Sequence, residues 1–181
     1  MAQVDDKKCE GCGICTGTCP LNAIELRHAK ESQIMAQVRA LIQSNRDKDP
    51  IVLAYCCSEC GGTSIDSAGM ASMEYPANVR VVKVPCTGIL KIHHFLEALK
   101  LGADAVMVVG CKPSGCHYEE GSTRAARNVE LAKVLLKSYG IEAERLEMFH
   151  NVYVEGNDFA KEATTMTRRA VDLGPLQRDM I

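Results

Sequence analysis

The chain opens with Cys9-Glu-Gly-Cys12-Gly-Ile-Cys15-Thr-Gly-Thr-Cys19-Pro20, which is C-x2-C-x2-C-x3-C-P. No other feature restricts the fold as tightly, because this is a spacing that holds a [4Fe–4S] cluster. Two-residue gaps let successive thiolates curl round one cube. Gly11 and Gly13 let the backbone wrap closely. Backbone N–H groups then point at the sulfides and offset their charge. Zinc more commonly takes two separated C-x2-C pairs. Residues 1–30 are therefore expected to be a small [4Fe–4S] module, with Cys9, Cys12, Cys15 and Cys19 as its thiolates.

Six more cysteines follow, Cys56, Cys57, Cys60, Cys86, Cys111 and Cys116, and none lies beyond them. Ten cysteines in a chain with no apolar signal-peptide core at its N-terminus are not expected to be structural disulfides. No apolar run is long enough to span a bilayer, so the expected location is the cytoplasm, with no direct membrane insertion. A net charge of −2 gives no reason to expect nucleic acid as a partner.

Between the modules, residues 31–50 read as a connecting helix and linker. Ile34, Met35, Val38, Leu41 and Ile42 share one helical face, and the polar run 43–50 ends it. From residue 51 to 181 the pattern alternates strand and helix. Strands are expected at 51–55, 79–84, 105–109 and 146–149. One helix carries Ile89, Ile92, Leu96 and Leu99 and stops at Gly102; another carries Ala125, Val129, Ala132 and Leu136. A last helix carries Phe159, Ala163, Met166 and Ala170, and a weaker one spans 66–73. The expected class is α/β: a small parallel sheet with helices on both faces, flavodoxin- or Rossmann-like, preceded by the N-terminal module. Ligands of such sheets bind outside the carboxyl ends of the strands. Three of those strand ends carry cysteines, so three loops are expected to bring six thiols together.

Residues 3–28 resemble half of a two-cluster ferredoxin. In such proteins the fourth cysteine of each motif ligates the other cluster. With one motif present, Cys19 is expected to be exchanged with a partner's half module. Residues 51–175 resemble the delta subunit of methyl-viologen-reducing hydrogenase, a domain also fused to some heterodisulfide reductase A subunits. The stretches that carry this are Cys56-Cys-Ser-Glu-Cys60, Met73-Glu-Tyr-Pro-Ala-Asn-Val-Arg80, Val84-Pro-Cys-Thr-Gly88 and Gly110-Cys-Lys-Pro-Ser-Gly-Cys-His-Tyr118. Ser58 and Glu59 stand where the family is associated with Asn-Trp, a change expected to expose a cluster or lower its potential.

The resemblance implies a [2Fe–2S] cluster and an electron relay in an anaerobic oxidoreductase. The donor would be a hydrogenase or other dehydrogenase subunit, and the other partner a heterodisulfide-reductase-A-like flavin subunit. Complexes of this kind include electron-bifurcating ones. Four thiolates hold such a cluster. The C-x2-C pair Cys57 and Cys60 and the C-x4-C pair Cys111 and Cys116 are the expected set, with Cys86 as substitute ligand. His117 is expected beside the sulfur rather than on the metal. The alternative function is a zinc-binding or thiol-redox protein using the same second constellation, with Cys57 and Cys60 as a redox pair. His93 and His94 are expected to be surface or satisfied polar groups. Arg124 and Arg127 read as a solvated face or a docking patch. The sequence shows no stand-alone catalytic arrangement.

Overall fold

The strand Val52–Cys57 (β1) is buried at every position. A run without polar alternation suits a central strand covered on both faces. Its neighbours are Val79–Val84 (β2) and Ala105–Cys111 (β3), with Leu146–Asn151 (β4) at the far edge. All pairings are parallel, and the order is β2-β1-β3-β4. This computed structural model describes residues 3–43, 50–152 and 156–176. The polar run expected as a linker lies almost wholly outside them.

Helices cover both faces. On one side lie Glu31–Gln43 (α2), Ile92–Leu101 (α4) and Gly121–Ser138 (α5). They press Ile34, Val38, Phe95, Leu99, Val129 and Leu136 against Leu53, Tyr55, Val82, Val106 and Val108. On the other side Cys60–Met70 (α3) and Gly156–Leu173 (α6) cover Val52, Ala54, Cys56, Met107 and Val109. Alternation along each strand thus divides the apolar residues between two cores. The face of α2 read from the sequence is one wall of the first core, with Val38 and Ile42 almost fully buried. The short helix Ile14–Thr18 (α1) belongs to the N-terminal module.

Two helices start elsewhere than their periodicity suggests. α3 begins at Cys60 rather than near Asp66. Gly61 and Gly62 look like loop residues in sequence, yet they are helical because the helix runs against the sheet. A Cβ on Gly61 would come 2.6 Å from the Val109 carbonyl oxygen. α4 begins at Ile92, after a 3-10 turn over Thr87–Ile89 that keeps Ile89 in the core. His94 caps α4: its Nδ1 accepts the Lys91 N–H at 3.0 Å. His93 is exposed but His94 is buried, and its Nε2 has no partner among the described residues. Burial lowers its pKa to about 4.

Arg145 is the largest fully buried side chain. Its guanidinium donates to the carbonyls of Asp104, Leu173 and Gly174 and pairs with Glu142 at 2.7 Å, tying the end of α6 to the sheet. No described helix is long and apolar enough to cross a membrane.

Candidate metal centre

The order β2-β1-β3-β4 reverses between β1 and β3. The connection leaving β1 runs over one face and those on either side of β3 run over the other, which opens a crevice at the carboxyl ends of the two strands. Cys57 ends β1 and Cys111 ends β3. Their sulfurs lie 3.8 Å apart. A tetrahedral metal with thiolate bonds of about 2.3 Å holds two of its sulfurs at about this separation. Cys60, first residue of α3, completes a buried group with them, and the partly buried Cys116 packs against it. All ten cysteines are free thiols. The four expected ligands of the second constellation are therefore neighbours.

Cys57 and Cys56 are successive residues of a strand, so they face opposite ways. Cys56 lies in the apolar core under α3 and α6. The six thiols expected together are thus five at most. Burial pushes the Cys56 thiol well above its ordinary range, as suits a core residue.

Within the crevice Cys57 and Cys111 are close enough to share a hydrogen bond. That bond lowers the pKa of Cys111, and His117 and Cys60 add donors against the cost of burial. The same bond, with burial, pushes Cys57 far up, although the Gly61 N–H donates to its sulfur at 3.1 Å. A metal ion in the crevice would take the place of such protons. The free N–H end of α3 faces the thiols and favours negative charge there.

Neighbouring side chains orient this group. His117 Nδ1 is 3.9 Å from Cys111 Sγ, and its Nε2 is 3.8 Å from the Glu59 carboxylate. Glu59 thus reaches the sulfur through an imidazole. Cys60, Cys111 and His117 place their donor atoms within 4.8 Å of one another. Two residues that sequence reasoning misses hold the Cys111 backbone. Ser122 donates to its carbonyl, and His150 Nδ1 reaches the same oxygen at 3.0 Å. A carbonyl only accepts, so Nδ1 carries the proton. No motif announces either residue; only their placement after the third cysteine loop and at the end of β4 hints at them.

Cys86 follows β2 and is buried. It accepts the Gly88 N–H at 3.4 Å, and burial pushes its thiol up to about 12.

The N-terminal thiols are arranged differently. Cys9 and Cys15 are exposed, and Cys12 and Cys19 are half-buried. Gly11 and Gly13 have φ of 71° and 79°, the left-handed conformation that turns the loop back before α1. Cys19 Sγ accepts the Ala23 N–H at 3.3 Å, and backbone donors of the following turn lower its pKa. These four thiols on one tight loop, with glycines at the bends, fit a four-iron cluster by donor type and chain path.

A third group, Glu31, His93 and His94, also has metal-ligand character. Its chemistry argues otherwise. The Lys91 N–H occupies His94 Nδ1, so in the neutral ring Nε2 carries the proton. Lys91 Nζ also lies 3.4 Å from the Glu31 carboxylate.

Residues 52–174 match the family described as methyl-viologen-reducing hydrogenase, delta subunit, and residues 2–25 match the 4Fe-4S binding domain. The iron-sulfur subunit of the vhu F420-non-reducing hydrogenase from Methanocaldococcus jannaschii is 44% identical over 127 residues, 70% of this chain and 95% of that protein. Its counterpart in Methanopyrus kandleri is 43% identical over 129 residues, 71% of this chain and 98% of that protein. A longer relative, from the ferredoxin:CoB-CoM heterodisulfide reductase of Methanosarcina mazei, is 35% identical over 208 residues. That match takes in 99% of this chain, the N-terminal motif included, but only 26% of the longer protein.

Proposed function

The chain belongs to the methyl-viologen-reducing hydrogenase delta-subunit family, and we propose that it is an iron–sulfur electron-transfer subunit relaying electrons between partner subunits. Cys9, Cys12, Cys15 and Cys19 serve a [4Fe–4S] cluster, and Cys57, Cys60, Cys111 and Cys116 a [2Fe–2S] cluster. Bound clusters of these kinds take up and release single electrons. The donor is a hydrogenase or other dehydrogenase subunit, and the acceptor a heterodisulfide-reductase-A-like flavin subunit. The observation that carries this reading is the thiol group at the β1/β3 crevice, with Cys57 and Cys111 3.8 Å apart.

The chain's own residues account for the rest. The crevice excludes water from Cys57, Cys60 and Cys111, which are nearly inaccessible. Gly61 N–H, His117 and the end of α3 offset thiolate charge there. The N-terminal module stays open. Leu21 and Ile24 are exposed beside Cys19-Pro20, a surface suited to a partner subunit.

The same sulfur spacing supports a second reading, in which the crevice holds zinc or its thiols perform disulfide exchange. Anaerobic purification separates the two. The relay predicts brown protein that bleaches with dithionite and, from native cells, arrives with a flavoprotein. Colourless protein carrying stoichiometric zinc at the crevice establishes the second reading instead.

A further inference from the structure

The two cysteine regions touch through three glycines. Gly17 of α1 lies on the turn after β2. A Cβ there would strike the Gly88 carbonyl oxygen and come 2.9 Å from Ile89 Cα. Gly88 lies on the start of α5, where its own Cβ would come 2.8 Å from Gly121 Cα and 2.9 Å from Ile14 Cγ1. A Cβ on Gly121 would strike Cys86 Sγ, and would meet Ile14 Cδ1 at 3.3 Å and Cys116 Sγ at 3.7 Å. None of the three has a positive φ. Space, not backbone conformation, is what excludes a side chain at each.

Cys86 sits where these contacts converge. It shares the space beside Gly121 with Cys116. Arg124 of α5 adds a clamp, donating to Thr18 Oγ1 of α1 at 3.3 Å.

We infer that Gly17, Gly88 and Gly121 are spacing residues that lock the N-terminal motif against the sheet-edge thiols, with Cys86 filling the gap. The two centres then form a pair at one short, fixed distance, and the relay does not wait for a swinging module. This inference rests on the two-cluster reading proposed above.

The test uses the full chain, reconstituted anaerobically, reduced with excess dithionite and read by EPR beside its iron content. Paramagnetic centres held close together split and broaden each other's signals. The wild type should show that interaction with both clusters fully loaded. Gly17→Val should keep both clusters and lose the splitting. Gly69→Ala, at a position with nothing within 4 Å of the added Cβ, should keep the clusters and the splitting. Two fully loaded but non-interacting clusters in the wild type would overturn the inference and leave the proposed function standing. Unchanged splitting in a fully loaded Gly17→Val protein would also overturn it. Failure of the wild type to assemble a second cluster would remove the proposed function, and this inference with it.

Discussion

The N-terminal motif and the sheet-edge crevice both gather thiols, but by opposite means. Cys9 to Cys19 are contiguous, largely exposed, and positioned by two left-handed glycines and one short helix. Cys57, Cys60, Cys111 and Cys116 come from segments separated by a whole βαβ crossover and meet only because β1 and β3 are adjacent. A site written in local sequence needs little of the fold. A site written in topology needs all of it, and inherits burial and a helix N-terminus in return.

The sharpest way to break this contrast is to remove one thiol from each region. Cys111→Ser should abolish the crevice cluster, about two irons per chain, while the N-terminal signal persists. Cys12→Ser should do the reverse. Iron analysis with EPR checks both, and loss of both clusters from either variant would mean the regions assemble as one unit.

A distant lesion should also tell them apart. Arg145→Met leaves one buried and two partly buried carbonyls without their donor, a loss of ~2–3 kcal/mol. On heating, the crevice cluster should bleach at a lower temperature than in the wild type, with the N-terminal cluster shifting less. Equal shifts would show that both depend alike on the sheet.

Gly61→Ala acts more locally. Its Cβ meets the Val109 carbonyl oxygen at 2.6 Å, so α3 must shift, at a cost of ~1–2 kcal/mol. The donor to Cys57 moves with it. Denaturant unfolding should show the destabilisation, and the spectrum of the crevice cluster alone should change.

The smallest effect concerns Glu162 of α6. Burial raises its carboxyl to about 7, against the Asn151 side chain that donates to it at 3.0 Å. The folded chain therefore binds this proton more tightly than the unfolded one. The group's contribution to stability is full below about 4.5 and is lost as pH rises through about 7. Partial exposure limits it to ~1 kcal/mol. Glu162→Gln should flatten that part of the stability–pH curve and leave both clusters' spectra alone; a curve unchanged by the substitution would contradict the assignment.

Legibility followed the same division. The N-terminal motif, the bounds of β2 and α2, and the buried stripes of α5 and α6 are readable because each is periodic along the chain. The parallel sheet and the gathering of cysteines at one edge follow from strand–helix alternation. What stayed hidden depends on contacts between elements. Gly61 and Gly62 read as loop because nothing in sequence shows the strand they must approach. The divergence of Cys56 from Cys57 is readable from strand pleating, but not the core that Cys56 enters. Ser122 and His150 meet at Cys111 only in three dimensions, as do Gly17, Gly88 and Gly121.

The central claim is that the fold alone builds a second iron site. Residues 1–43 cannot simply be cut away to test it, because Ile34, Met35, Val38 and Ile42 belong to the core. The direct measurement is iron content with EPR on full-length Cys12→Ser/Cys15→Ser protein, reconstituted anaerobically. The account predicts about two irons per chain and a [2Fe–2S] signal on reduction, both lost when Cys111→Ser is added. Protein without iron, or iron that survives the added Cys111→Ser, would contradict it.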